Sequence, residues 1–201
     1  MPNWCYCEMA IYGAKENVER LAVDLRTAKE QAKELGNWDL YQIFEVCGKY
    51  KKDEILSGDL DYIRGTIEQE DFVVEDNDEE SYMYIYYESA WGPMIEGWNR
   101  ILEKYNLKQV TSAEECGNQV YINTDIECKF FSHKYILDIE YQGDAYREYF
   151  DVYIDLISYC ERLFKVKLKG LNFEDLQEKV EELVEEDNED NCFVLEEFCE
   201  D

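Results

Sequence analysis

Residues 4–12 read WCYCEMAIY, an aromatic and apolar run with partial alternation, and Gly13 follows the run directly. Alternation of strand-forming residues that ends at a turn residue is typical of a β-strand. The apolar residues of 15–35 recur mostly at three- and four-residue spacing, which predicts an amphipathic helix. Gly36 stands directly after this pattern, where glycine commonly ends a helix. The chain is therefore expected to open with a strand that leads into a helix.

The remainder of the chain also contains predicted strands and helices. A strand is predicted at 82–88 (YMYIYYE), where strand-forming residues are dense. Further strands are predicted over 60–74, over 108–112 or its continuation 119–123, and over 134–141, with helices over 94–105, 146–164 and 173–187. Residues 38–48 fit a short helix or turn, and 192–198 fit a closing strand or a short helix. Asn172 stands where an N-cap is expected for the last helix.

The order β-α-β-β-α-β followed by helices is typical of a ferredoxin-like fold. We therefore predict an α+β protein, in which an antiparallel sheet is covered on one side by helices and acidic C-terminal helices are added. The expected domains are a ferredoxin-like domain over 1–145 and an acidic helical extension over 146–201 that packs on it.

Acidic residues dominate the composition of the chain. Among 201 residues there are 48 Asp and Glu against 20 Lys and Arg, for a formal net charge of -28. A small domain is well served by a net charge of about 2–8 in magnitude, and a larger charge destabilises the folded state through self-repulsion. Hydrophobic residues make up 46% and aromatic residues 15%, which excludes a disordered acidic tail. The charge therefore requires an explanation other than solubility.

Carboxylates concentrate in two stretches, 68–80 and 174–190, and Lys179 is the only basic residue within them. In the second stretch the glutamates recur every three or four residues, which predicts an acidic stripe on one helix face. The expected partner-binding residues are Glu68, Glu70, Asp71, Glu75, Asp76, Asp78, Glu79, Glu80, Glu174, Asp175, Glu178, Glu181, Glu182, Glu185, Glu186, Asp187, Glu189 and Asp190.

Such acidic surfaces repel nucleic acid and anionic membranes, and they attract proteins whose grooves hold nucleic acid. We therefore expect a basic nucleic-acid-binding protein as the partner, and neither direct nucleic-acid binding nor membrane binding. The alternative that the carboxylates only form a solvated surface stays open. The opening residues contain no basic region followed by an apolar run, so we expect no signal peptide and a cytoplasmic location.

Signals for catalysis are few. His133 is the only histidine, the eight cysteines contain no C-x-x-C pair, and no phosphate-binding loop motif occurs. We therefore expect reduced thiols, no catalytic residue, no metal site and no cofactor. Two alternatives remain: a metal-dependent enzyme that uses clustered carboxylates, and an accessory interaction module. The module would use the tyrosines of 82–88, since one face of that strand is expected to be exposed.

Three short motifs occur in order along the first two thirds of the chain: Met1-Pro2-Asn3-Trp4-Cys5, Ser89-Ala90-Trp91-Gly92-Pro93, and Glu114-Glu115-Cys116-Gly117 followed by Tyr121-Ile122-Asn123-Thr124-Asp125. With these motifs the chain resembles the YubB-type ferredoxin-like family of phage and plasmid proteins. The family often has proline where this chain has Cys116. The resemblance implies a ferredoxin-like fold and a mobile-element origin, and it implies no agreed activity and no catalytic residue.

Taken together, charge and resemblance predict a binding protein and not an enzyme. The expected role is to block a nucleic-acid-binding defence protein of a bacterial host by nucleic-acid mimicry. The expected target is a CRISPR effector or a restriction-type nuclease, met in the host cytoplasm.

Overall fold

The computed structural model describes residues 3–36, 39–50, 63–67, 69, 71–77, 79–188 and 190–199. The chain forms two compact units, Met1–Thr124 and Asp125–Asp201. Each unit combines helices with an antiparallel sheet, so the predicted α+β class is confirmed.

The first unit is organised around its N-terminal strand. Its elements are β1 (Trp4–Gly13), α1 (Lys15–Leu35), α2 (Asp39–Val46), β2 (Gly65–Ile67), β3 (Glu75–Asp76), β4 (Ser81–Ala90), α3 (Ile95–Glu103), β5 (Lys108–Glu115), a 3-10 turn (Cys116–Asn118) and β6 (Val120–Asn123). The strand order is β2-β4-β1-β5-β6, and β3 also pairs with β4. β1 pairs antiparallel with β4 on one side and with β5 on the other, so it occupies the middle of the sheet.

One face of this sheet forms the core together with the helices. Odd-numbered residues of β1 and β4, such as Met9 and Ile85, are fully buried with residues of α1, α2 and α3. Trp98 of α3 is also fully buried, with its ring 5.5 Å from that of Tyr87 and 6.5 Å from that of Phe44 between ring centroids. Because side chains alternate along a strand, the even-numbered residues of β1 and β4 lie on the opposite face.

The second unit is a three-stranded sheet with two helices. Its elements are β7 (Tyr135–Tyr141), β8 (Asp144–Phe150), α4 (Tyr153–Phe164), α5 (Phe173–Asp187) and β9 (Phe193–Glu197). The strand order is β8-β7-β9, and both pairings are antiparallel. The core contains residues from both helices and from β7 and β9, among them Leu137, Leu156, Val180 and Leu195.

Several predicted elements are confirmed with their limits. α1 covers 15–35 and is followed by Gly36 in the left-handed conformation, and α5 covers 173–187. The closing segment is a strand, and 108–112 and 119–123 belong to two separate strands, β5 and β6. For the strand predicted over 60–74, the described residues contain only β2, and 60–62, 68 and 70 lie outside the described residues.

Two predictions are wrong, and both concern β8. The first part of the helix predicted over 146–164 belongs to β8, and the helix begins only at Tyr153. β8 pairs with β7 through a two-residue turn in which Gln142 and Gly143 have φ of 54° and 82°. Because β7 pairs with both β8 and β9, the units divide between Thr124 and Asp125 and not at 145. The C-terminal unit is consequently not a purely helical extension.

Candidate functional site

The carboxylates of the second acidic stretch lie on α5, whose opposite side is fixed in the core of the second unit. The Asn172 side-chain oxygen accepts a 2.8 Å hydrogen bond from the Asp175 amide. This bond satisfies one of the backbone donors that the first turn of a helix leaves open, and it confirms the predicted N-cap. Gln177 Nε2 donates to the carbonyl oxygen of Leu195 at 2.5 Å. The buried row of α5 consists of Leu176, Val180 and Val184.

The predicted acidic residues on α5 are all exposed to solvent. They are Glu174, Asp175, Glu178, Glu181, Glu182, Glu185, Glu186 and Asp187. Asp190 beyond the helix is exposed as well, and Glu189 lies outside the described residues. These eight carboxylates and Lys179 give α5 a net charge of -7 over 15 residues. At a rise of 1.5 Å per residue the helix is about 22 Å long, or about 3 Å per net charge, and one DNA strand carries a charge every ~3.4 Å.

Little on α5 compensates this charge. Lys179 Nζ lies 2.6 Å from Glu182 Oε2, and this ion pair raises the pKa of Lys179. The last turn carries Glu185 and Glu186 but no basic residue. The C-terminal end of a helix bears partial negative charge, so carboxylates there are unfavourable. The helix thus holds charges that work against its own stability.

Asp187 differs from the other carboxylates of α5, because it is part of the fold. Its Oδ2 accepts a 2.8 Å hydrogen bond from the backbone amide of Gln142 and a 3.2 Å bond from Asn191 Nδ2. Gln142 belongs to the turn between β7 and β8. Asp187 therefore joins the end of α5 to that turn, and its replacement is expected to affect structure as well as charge.

The first acidic stretch lies around β3, and its carboxylates interact with neighbouring side chains. Asp76 Oδ2 lies 2.6 Å from Lys15 Nζ, and its Oδ1 accepts a 2.6 Å bond from Ser81 Oγ. The hydrogen bond from Lys15 lowers the pKa of Asp76. Glu75 Oε2 accepts a 2.9 Å hydrogen bond from the Tyr82 hydroxyl. These carboxylates therefore take part in contacts within the first unit.

The rest of the first stretch shows the same involvement in the fold. Asp71 Oδ1 lies 3.7 Å from Arg26 Nε, and Asn77 Oδ1 accepts 2.9 Å hydrogen bonds from the amides of Glu79 and Glu80. The latter bonds shape the turn between β3 and β4. Three predicted residues lie outside the described residues: Glu68, Glu70 and Asp78. The two acidic stretches thus belong to different units, and the basic residues of α1 that approach the first one were not predicted.

A tyrosine face lies on the side of the first sheet that points away from the core. We use this name for Tyr6, Tyr12, Tyr82, Tyr84 and Tyr86, which all occupy even positions of β1 and β4. The ring centroids of Tyr82 and Tyr84 are 5.7 Å apart, and those of Tyr84 and Tyr86 are 6.4 Å apart. Tyr6 is 61% exposed and Tyr86 is 46% exposed. The prediction that one face of 82–88 is exposed is thus supported, whereas the contribution of β1 was missed, although its sequence alternates in the same way.

Carboxylates lie among these rings. Glu8 stands directly opposite Tyr86 in the pairing of β1 with β4. Burial raises the pKa of Glu8, while a hydrogen bond with Tyr86 acts in the opposite direction. Burial and the same bond raise the pKa of Tyr86 to about 12. The tyrosine face therefore combines aromatic rings with carboxylates in one surface.

Four cysteines are buried, and His133 lies among aromatic rings, whereas Cys116, Cys128, Cys192 and Cys199 are exposed. Cys5 and Cys7 are buried with their sulfur atoms 3.6 Å apart, and the hydrogen bond between them raises the pKa of Cys5. Burial raises the pKa of Cys160 to about 12. His133 lies against three rings, the nearest being that of Phe198 at 4.9 Å, and burial lowers its pKa. These environments favour the uncharged forms of Cys5, Cys160 and His133.

Within the described part of the chain, no group of three or more His, Cys, Asp or Glu side chains is arranged to hold a metal ion. The described helices also include none that is long and apolar enough to cross a bilayer. Comparisons with family models, with curated proteins and with solved structures each found no match to this chain. The resemblance to the YubB-type family therefore stays a prediction.

Proposed function

We propose that this chain is a binding protein that occupies the nucleic-acid-binding surface of a basic partner and blocks it, with the carboxylates of α5 as its main contacts. The observation that carries the proposal is the net charge of -7 on α5, whose carboxylates are exposed along a spacing close to that of a DNA strand. A partner groove lined with Lys and Arg attracts such a helix as it attracts phosphates.

A comparison within the chain supports this use of α5. α1 is longer, yet its five acidic residues are balanced by Lys15, Arg20, Arg26, Lys29 and Lys33, so its net charge is zero. α1 therefore shows that an amphipathic helix of this chain, with one buried side and one exposed side, can be electrically neutral. The acidic character of α5 is therefore not shared by every helix of the chain, which supports its use in recognition.

The proposed partner is a nucleic-acid-binding defence protein of a bacterial host, such as a CRISPR effector or a restriction-type nuclease. This part of the proposal rests on the resemblance to the YubB-type family of phage and plasmid proteins. We further propose a ferredoxin-like arrangement for the first unit. The antiparallel order β2-β4-β1-β5 supports this arrangement, with α1 and α2 between β1 and β2, and α3 between β4 and β5. In this proposal the protein acts by binding and not as an enzyme.

The test is affinity capture from bacterial lysates that contain candidate defence systems, with elution by rising salt and identification by mass spectrometry. We expect a basic nucleic-acid-binding protein that is released as salt increases, because exposed ion pairs are screened. The reversal variant replaces Glu181, Glu182, Glu185 and Glu186 by Lys and is expected to lose the captured partner.

A matched control separates the surface of α5 from the total charge of the chain. The control replaces Glu16, Glu19, Glu30 and Glu34 of α1 by Lys, which changes the net charge by the same amount at exposed positions. Capture is expected to persist in this control. Equal loss in both variants, or no loss in the reversal variant, would contradict the assignment of the site to α5.

A further inference from the structure

The tyrosine face contains one row in which an exposed ring is flanked by two carboxylates. In the strand register Tyr6 stands opposite Glu88 of β4 on one side and opposite Glu114 of β5 on the other. Neighbouring strands are about 4.8 Å apart, so both carboxyl groups lie within reach of a group placed over the ring. Tyr6 is the most exposed ring of the tyrosine face given above, at 61%.

We propose that this row, Glu88-Tyr6-Glu114, binds arginine side chains from an extended segment of another protein. A guanidinium group stacks flat on an aromatic ring, and its N–H groups are directed in the plane toward carboxylates beside the ring. The row Glu88-Tyr6-Glu114 offers both an exposed ring for stacking and carboxylates beside the ring. Phosphate-bearing ligands are disfavoured here, because carboxylates lie on both sides of the ring.

The chain already contains one contact of this type on the same face. The guanidinium carbon of Arg64 lies 5.5 Å from the ring centroid of Trp4, which is two residues before Tyr6 on β1. At the other end of β1, Lys108 stands opposite Tyr12. Basic residues thus occupy positions next to the outer aromatic residues of β1, while Tyr6 between them has carboxylates on both sides. A cation placed over the exposed Tyr6 ring therefore lies between two negatively charged side chains.

Arginine binding at Tyr6 goes beyond the proposed function and does not depend on it. The Tyr6 row belongs to the first unit, whereas the proposed function uses α5 of the second unit. The two proposals fail separately. A protein whose α5 does not bind a basic groove is still expected to prefer arginine at the tyrosine face, and the reverse also holds.

The test compares two nine-residue peptides, GRGRGRGRG and GKGKGKGKG, titrated into the full chain at moderate salt. Both peptides carry the same charge, so general attraction to an acidic protein affects them equally. We expect the arginine peptide to bind at least about 3-fold more tightly, with amide shifts in the NMR spectrum concentrated on β1, β4 and β5. Equal affinities, or shifts confined to α5, would overturn the proposal.

Variants then locate the preference. Tyr6→Leu keeps an apolar residue on the strand but removes the ring, and it is expected to weaken arginine binding roughly 2–5-fold and to abolish the preference over lysine. Tyr149→Leu removes a tyrosine of the second unit that is 43% exposed and is expected to keep the preference. Glu114→Gln is a second test that leaves Tyr6 intact, and it is expected to reduce the preference. The proposal fails if Tyr6→Leu keeps the preference or if a single-stranded oligonucleotide binds more tightly than the arginine peptide.

Discussion

The two acidic stretches of this chain, 68–80 and 174–190, are both rich in Asp and Glu, but they differ in the residues that surround them in the fold. Around β3, Asp76 is paired with Lys15 and Ser81, and Asp71 lies near Arg26. On α5 the carboxylates are exposed, Glu182 forms an ion pair with Lys179, and Asp187 accepts hydrogen bonds from Gln142 and Asn191. A high density of acidic residues therefore does not by itself define a binding surface.

The position of basic residues elsewhere in the chain makes the difference. Lys15 and Arg26 both lie on α1, far from β3 in sequence, yet they reach Asp76 of β3 and Asp71 before it. Neutralising an acidic residue is therefore expected to have opposite effects in the two regions. In the first region it removes attractive contacts, and at Glu185 and Glu186 near the end of α5 it relieves repulsion.

The largest effect is expected when α5 loses its anchor in the core. Leu176 is fully buried, and Leu176→Ala is expected to lower the free energy of unfolding by about 2–5 kcal/mol, because a cavity is left in the core. Denaturant titration followed by circular dichroism measures this loss. Leu183→Ala, at a half-buried position of the same helix, is the control and should cost clearly less. Equal losses would show that the buried row does not fix α5.

A smaller loss is expected at the start of the same helix. Asn172→Ala removes the acceptor for the Asp175 amide and is expected to cost about 1 kcal/mol in unfolding free energy. Asn172→Ser retains a capping oxygen and should recover most of that loss in the same titration. If the alanine and serine variants are equally stable, the cap does not contribute to α5.

Neutralising acidic residues at the end of α5 is expected to stabilise the fold. Glu185→Gln with Glu186→Gln removes charges from the negative end of the helix dipole and from like-charged neighbours, for a gain of about 0.5–1 kcal/mol. The gain should shrink as salt is added. The pair Glu174→Gln and Asp175→Asn makes the same charge change in the first turn, where carboxylates are favourable, and so should stabilise less or destabilise. A gain of the same size at both ends would refute the role of the dipole.

Neutralising Asp76 is expected to destabilise the folded state, in contrast to neutralising Glu185 and Glu186, and this change in stability is expected to be the smallest of the four. The bond from Lys15 lowers the pKa of Asp76 below its ordinary value of 3.8, so this carboxylate stabilises the folded state when ionised. That stability is present above the ordinary value and is lost as the pH falls through the lowered pKa. Asp76→Asn is therefore expected to be slightly less stable than the native chain at neutral pH, and equally stable in strong acid. Thermal melts across this pH range measure the difference, and a pH-independent difference would contradict the ion pair.

The sequence predicted those elements whose signals are local. The limits of α5 follow from Asn172 and the spacing of its apolar residues, and the end of α1 follows from Gly36. β8 was mistaken for a helix because Tyr149 and Val152 happen to extend the spacing of α4. The turn before β8 also uses Gln142-Gly143, and glutamine is not among the residues that usually mark such a turn.

The candidate site was predictable to a similar degree. The acidic stripe of α5 depends on spacing within one helix, so its residues were found from the sequence. The contacts of Asp71 and Asp76 depend on which helix packs beside β3, and no local pattern encodes that. The row around Tyr6 depends on the register of three strands, which a single strand does not specify.

Competition for the nucleic-acid-binding surface of the captured partner tests directly whether α5 occupies that surface. The measurement is the fluorescence anisotropy of labelled nucleic acid bound to that partner, followed while this protein is added at several salt concentrations. We expect the native chain and the α1 control to displace the nucleic acid, less effectively as salt rises, and we expect no displacement by the α5 reversal variant. Nucleic-acid mimicry by α5 is contradicted if the partner holds this protein and the nucleic acid at the same time, or if the reversal variant displaces as well as the native chain.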